Sequence, residues 1–179
     1  MKKIGIAGAG GIGSNVAVHL VRAGVRCLKI VDFDRVELSN LNRQFYFHDQ
    51  LGRPKAAALA ANLRRIVPDA VIETENARLD AERMTTVFAD CDLVVEGFDG
   101  AAEKKALLEA MSVARIPMVA ACGVAGTRLD RIGVRTLGGC TIVGDFATEA
   151  AQAPCHGPKV ALVAAMMAHI VLERGGYYE

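Results

Sequence analysis

Residues 29–45 read KIVDFDRVELSNLNRQF, and the fold turns on how this stretch is read. Leu28 to Val31 reads as a buried strand that ends on an acid, Asp32. Upstream, Gly8-Ala9-Gly10-Gly11-Ile12-Gly13 follows an apolar run, Lys3 to Ala7, and opens a helical pattern from Ser14 to Ala23. Strand, glycine turn, helix, strand, acid is the order of a dinucleotide-binding unit. The polar run that follows, from Asp34 through Glu37, Ser39, Asn40, Asn42 and Arg43 to Gln44, is not something such a unit requires.

Outward from this stretch the alternation continues. The loop runs to about Gly52, long enough to expect short helical turns within it. Pro54 stands where a first helical residue would, and Ala56, Leu59, Ala60, Leu63 and Val67 follow at helical spacing until Pro68. Strands are expected at Cys27–Asp32, Val71–Thr74, Leu93–Glu96 and Pro117–Ala121, with helices over Ala81–Phe88 and Ala101–Ala114. Regular alternation of this kind means an α/β, Rossmann-like doubly wound sheet, mostly parallel. Near the C-terminal end, Arg131–Thr136 and Cys140–Val143 flank Gly138-Gly139 as a hairpin or antiparallel extension. Gly144 to Pro158 reads as loop. Lys159–Leu172 is apolar nearly all round, so it is expected to be buried on both sides, in part by a partner subunit.

The 179 residues suit one domain spanning the whole chain. A formal net charge of +1 gives no broad pull toward nucleic acid or membrane. The longest apolar run, Val160 to Leu172, contains His169 and is too short for a bilayer. Five cysteines, an odd number with no C-x-x-C pair, argue against a disulfide framework and a structural zinc. With no signal peptide in view, a reducing cytoplasm is the expected location.

The candidate site residues follow from chemistry. Gly8, Gly10, Gly11 and Gly13 let the backbone bend and bring helix N–H groups against phosphate oxygens; the alternative is close strand–helix packing without a ligand. Asp32 stands where an acid accepts hydrogen bonds from ribose hydroxyls, a role common to NAD and adenosine sites. Asp34 is either a loop residue or a ligand contact. Arg53 and Lys55 put cations at the wrong end of a helix, at about 0.3–1 kcal/mol each, which makes sense if an anion binds there. Asp49 is a nearby acid that would compensate in part. Asp99, after the fourth strand, opens on the same sheet edge; it could hold Mg²⁺ beside a polyphosphate or cap the helix at Ala101. Cys155-His156 resembles a nucleophile–base pair, although adjacent residues rarely face each other.

The run Gly8-Ala9-Gly10-Gly11-Ile12-Gly13-Ser14-Asn15, then VDFDRVELSNLNRQ over residues 31–44, Gly52-Arg53-Pro54-Lys55, Asp99 and Gly157-Pro158-Lys159-Val160 resembles the ThiF/MoeB/HesA superfamily, bacterial relatives of ubiquitin-activating enzymes. It is most similar to the short ThiF-type proteins of thiamine biosynthesis (family 2). The resemblance implies ATP-dependent adenylylation of the C-terminal glycine carboxylate of a ubiquitin-fold, ThiS-like sulfur carrier, by a homodimer. It implies Asp32 on the ribose, Asn40, Arg43 and Lys55 on the phosphates, and Asp99 on Mg²⁺. Longer members carry two zinc-binding C-x-x-C pairs and an N-terminal arm that supplies an arginine to the partner's site; with the first strand at Lys3 and no such pairs, neither is expected here. Some sulfur-transfer members place a thiol before the last helix, where Cys155 lies at an imperfect spacing. The readings that remain beside adenylylation are a non-catalytic carrier- or nucleotide-binding module, an NAD(P)-dependent oxidoreductase, and adenylylation of another acceptor, such as a molybdopterin carrier or a carboxyl group on modified tRNA.

Overall fold

The computed structural model describes residues 2–148 and 153–178. Seven strands form one sheet in the order β3-β2-β1-β4-β5-β7-β6. These are β1 (Lys3–Ala7), β2 (Cys27–Val31), β3 (Val71–Glu75), β4 (Leu93–Glu96), β5 (Met118–Ala121), β6 (Gly133–Leu137) and β7 (Cys140–Gly144). All neighbours are parallel except β6 and β7, which form an antiparallel hairpin closed at Leu137↔Cys140 by Gly138-Gly139. Hairpin and extension are therefore one feature: β7 runs parallel to β5, and β6 turns back along it as the edge strand.

Helices α1 (Gly11–Arg22), α2 (Lys55–Ile66) and α5 (Gly157–Gly175) lie in one layer; α3 (Ala81–Val87) and α4 (Ala101–Ala114) lie in the other. The period-2 pleat assigns side chains to the two cores. Ile4 and Ile6 of β1, Leu28 and Ile30 of β2, and Leu93 and Val95 of β4 pack with α1, α2 and α5. Ala7, Val31 and Val94 pack with Leu107 and Met111 of α4 and with Met84 and Phe88. Strands buried on both faces explain the apolar runs Leu93–Val95 in β4 and Met118–Ala121 in β5.

The element order agrees with expectation; the ends differ. Helix α1 starts three residues earlier, at Gly11, because the glycine turn itself is wound into its first turn. Pro54 is the cap of α2, not its first helical residue. Asp32 falls just past β2, although its N–H still bonds Glu75 O at 3.1 Å. The long loop contains two short 3₁₀ turns, Leu38–Asn40 and His48–Gln50. Helix α5 is longer than expected and packs on α1, β5 and β7, leaving Leu162 39 % exposed on its outer side. Residues 149–152 of the expected Gly144–Pro158 loop lie outside the described residues.

In the order 3-2-1-4-5, the strand order reverses between the parallel neighbours β1 and β4, and a crevice opens there at the carboxyl ends. Gly8 and Gly97 face each other across it: a Cβ on Gly8 would lie 2.8 Å from Gly97 O.

Candidate functional site

A cavity of about 150 Å³ occupies that crevice. One wall is the glycine turn with Asp32, Phe33, Asp34 and Lys55; the other is Ala77–Leu79, Gly97–Gly100 and Glu103. Of the residues expected to form a site, Gly8, Gly10, Asp32, Asp34, Lys55 and Asp99 are brought together here.

The glycine turn is shaped by contacts that admit no side chain. Gly8 has φ +89°, a conformation costly for residues with a Cβ. A Cβ on Gly13 would lie 1.8 Å from Gly8 O, so Gly13 serves close helix–strand packing. Gly11 faces Val160 of α5 and the stem of Arg43, not the cavity. Helix α1 has neither a side-chain cap nor an acid in its first turn. Its positive end is left available to an anion.

Asp32 is 8 % exposed. Its Oδ2 accepts from Ala9 N–H at 2.6 Å and its Oδ1 from Asp34 N–H at 2.7 Å, so one carboxylate ties the glycine turn to the start of the loop. Burial pushes its pKa up, and these two N–H groups pull the other way. A carboxylate has about four acceptor positions, so two remain for hydroxyl donors.

Lys55 is 5 % exposed. Its Nζ donates to Asp34 Oδ2 at 2.8 Å, while its backbone N–H donates to Asp34 O at 2.9 Å. The cation that the sequence left without a fixed partner is therefore matched by Asp34, not Asp49. The hydroxyl of buried Tyr46 donates to Ala9 O at 2.6 Å and reaches Lys55 O at 3.4 Å, joining turn, loop and helix.

Two expected phosphate-side residues, Asn40 and Arg43, and the candidate thiol Cys155 are arranged otherwise. Asn40 is buried and engaged within the loop: its Oδ1 accepts from Glu37 N–H at 3.0 Å and its Nδ2 contacts Ser39 Oγ at 3.4 Å. The side chain completes a 3₁₀ turn and does not line the cavity. Arg43 lies beside the first turn of α1 but outside the cavity wall, its Nη1 donating to Ser39 O and Asn42 Oδ1 at 2.9 and 2.8 Å. Cys155 is half-buried against the core, paired in a bridge with Gly126, and away from the cavity.

Asp99 is exposed at the rim. Gly100, not Asp99, is the N-cap of α4. The carboxylate thus does not take the capping role. Its turn is held from below by Glu96, which is 1 % exposed: both Glu96 oxygens accept from Lys104 Nζ at 2.9 Å, and Oε1 accepts from Phe98 N–H at 2.7 Å. Burial pushes the Glu96 pKa up against these donors.

Sequence reasoning missed Glu96 with Lys104, the wall residues Phe33, Arg78 and Glu103, and the pair Lys159–Asp145, whose Nζ and Oδ2 are 2.7 Å apart. It gave no role to Gln44, buried at 7 % with its Oε1 unpaired among the described residues and its Nε2 4.0 Å from a Cβ placed on Gly10. The signals were faint: a lysine eight residues after a strand-end glutamate, and a lysine opening an apolar helix. Among the described residues there is no cluster of three or more His, Cys, Asp or Glu side chains suited to a metal. No helix of theirs is long and apolar enough to cross a membrane.

An open 3-2-1-4-5 sheet with an uncapped glycine-turn helix, a buried strand-end aspartate and a buried lysine on one crevice defines a Rossmann-like domain suited to a phosphate-bearing ligand. The chain belongs to the ThiF family, whose model matches residues 1–173. It is 36 % identical over 120 residues to the molybdopterin-synthase adenylyltransferase of Escherichia coli K12, covering 66 % of this chain and 48 % of that protein. It is 36 % identical over 118 residues to the SAMP-activating enzyme E1 of Haloferax volcanii, covering 65 % and 44 %. The chain thus spans less than half the length of these relatives. In fold it is similar to E. coli tRNA N6-threonylcarbamoyladenosine dehydratase, TcdA, in complex with ATP: TM-score 0.85, 20 % identity, covering 99 % of this chain and 88 % of that one.

Proposed function

We propose that this chain catalyses ATP-dependent adenylylation of the C-terminal glycine carboxylate of a ThiS-like, ubiquitin-fold sulfur carrier, releasing pyrophosphate. The observation that carries the proposal is the meeting, on one cavity, of the glycine turn, Asp32, the Lys55–Asp34 pair and an uncommitted Asp99. An NAD(P) site needs only the first two. The names of the relatives, an adenylyltransferase and an activating enzyme, support the same reading.

In this reading Asp32 accepts hydrogen bonds from the ribose hydroxyls, and the N-terminus of α1 and Lys55 face the phosphates. The carrier's carboxylate is already ionised at neutral pH, so no general base is needed. It bonds to the α-phosphorus as the bond to the bridging oxygen breaks and pyrophosphate departs. Lys55 stabilises the charge that spreads over the phosphate oxygens. Arg43 joins it by exchanging its two exposed local acceptors, Ser39 O and Asn42 Oδ1, for a phosphate. Asp99 would hold Mg²⁺, which supplies further charge neutralisation; a lone exposed carboxylate suits an ion that keeps most of its waters. The apolar stripe Leu162, Met166 and Ile170 on the outer side of α5 is the face on which a homodimer would close.

The test is exchange of labelled pyrophosphate into ATP by the purified chain with Mg²⁺ and a ThiS-like carrier bearing an intact Gly-Gly end. Exchange that needs the carrier is expected. ATP binding without exchange would leave a non-catalytic module, and tighter binding of NAD than of Mg·ATP would favour an oxidoreductase. Exchange with a molybdopterin-type carrier alone would keep the chemistry and change the acceptor.

A further inference from the structure

Arg78, on the loop between β3 and α3, reaches across the cavity. Its guanidinium lies 5.2 Å from the centre of the Phe33 ring on one side and 3.6 Å from Glu103 Oε1 on the other. All three line the cavity, and they come from three separate segments: the loop after β2, the β3–α3 loop and the first turn of α4. Little holds Arg78 there. Its side chain is 72 % exposed, the Phe33 ring is half-exposed, and an exposed ion pair of this length is weak. Glu103 is better placed: it folds back over Gly100, where a Cβ would lie 2.0 Å from its Oε2, leaving Oε1 at the rim.

We propose that Arg78 and Glu103 are specificity-determining residues for the nucleobase. The proposal rests on the adenylylation reading only in taking the ligand as a purine nucleotide. With the ribose at Asp32 and the phosphates at the α1 terminus, the base is directed to the part of the cavity walled by Phe33, Ala77–Leu79 and Phe98. A purine presents the same kind of flat π-face as Phe33, so the guanidinium stacks on it by exchanging one aromatic partner for another. Glu103 carries only acceptors when ionised, and so favours a base with an exocyclic amine N–H at the rim. The stack supplies affinity for any purine, and the carboxylate supplies preference for a 6-aminopurine over a purine that lacks the amine.

The experiment is calorimetric binding of Mg·ATP and of Mg·purine riboside triphosphate, which lacks only the 6-amino group, to the wild-type chain and to Arg78→Ala and Glu103→Ala. No carrier is present, so the readout is independent of turnover. The wild type is expected to bind ATP about 10-fold more tightly than the deaminated analogue, as suits one hydrogen bond to a part-exposed charged acceptor. Arg78→Ala is expected to weaken both nucleotides by about 5-fold and leave their ratio intact. Glu103→Ala is expected to bring the ratio to within about 2-fold, because the base then loses that acceptor. If Arg78→Ala leaves both affinities unchanged, or Glu103→Ala leaves the ratio unchanged, the assignment is overturned while the adenylylation reading stands. A wild-type chain that binds neither nucleotide overturns both.

Discussion

Lys55 Nζ lies 2.8 Å from Asp34 Oδ2, an almost fully buried cation against a half-exposed carboxylate on the cavity wall. The same two residues are joined through their backbones, so the side-chain pair sits at a fixed junction between the β2 loop and the start of α2. Lys55 is thereby aimed and its charge held in a place sheltered from water. Replacing it by methionine keeps most of the stem's packing and removes the charge. We expect Lys55→Met to lower carrier-dependent pyrophosphate exchange by about 100-fold or more, the size seen when one preorganised electrostatic group is lost. Asp34→Asn should lower it by much less and cost stability of about 1 kcal/mol, because Asp34 is too exposed for the full effect of a broken buried pair.

Asp99 offers the opposite case, an exposed carboxylate that does not cap its helix. Asp99→Asn is therefore expected to leave the melting temperature within about 1–2 °C of wild type, as for a surface change of under ~0.5 kcal/mol. It should still raise the Mg²⁺ concentration needed for half-maximal exchange. Unchanged Mg²⁺ dependence would remove Asp99 from the metal site; a large fall in melting temperature would give it the structural role.

The glycine turn separates packing from binding. A Cβ on Gly13 would lie 1.8 Å from the backbone oxygen of Gly8, and a backbone atom cannot move aside cheaply. Gly13→Ala is expected to destabilise the chain by roughly 3 kcal/mol or more, or to prevent its folding, by forcing α1 off β1. Gly10 has more room: its nearest contact would be Gly97 O at 3.7 Å. Gly10→Ala should fold and be defective chiefly in nucleotide binding, measured as a raised Kd for Mg·ATP at a near-native melting temperature.

These residues show why the site was only half legible. The strand and helix runs, the strand-end position of Asp32 and the placement of Asp99 on the same edge are local patterns with a fixed spatial meaning, and they led to the crevice. The pairing of Asp34 with Lys55 joins residues 21 apart through a loop with no periodicity. Asn40 and Arg43 sit in a motif that points to phosphate, yet their side chains complete turns of their own loop. Such short-range bonds depend on backbone angles that a polar run does not specify. Arg78 and Glu103 meet only because β3 and β4 lie on either side of the β2–β1 pair, a fact of topology.

Lys159 and Asp145 carry the last expectation. Both side chains are almost wholly buried, 2.7 Å apart, and Lys159 Nζ also donates to Ala125 O. Burial by itself would raise the Asp145 pKa. The Lys159 ammonium, the Thr148 hydroxyl and two backbone N–H groups overcome it and hold the carboxyl far below the ordinary carboxylate value of 3.8. A carboxylate whose folded pKa is depressed contributes stability that is present above its unfolded pKa and is lost as pH falls toward the folded value. Acid should therefore begin to remove this contribution below about pH 4, measured as the urea midpoint against pH. Asp145→Asn should cost about 3–5 kcal/mol at pH 7, because it strands a buried ammonium. The double change Asp145→Leu with Lys159→Met should recover most of that loss and flatten the acid limb, since burying the two charges costs nearly as much as their attraction returns. A double variant no more stable than Asp145→Asn would mean that the hydrogen bonds Asp145 accepts from Ala147 and Thr148, rather than its charge, hold that turn to α5.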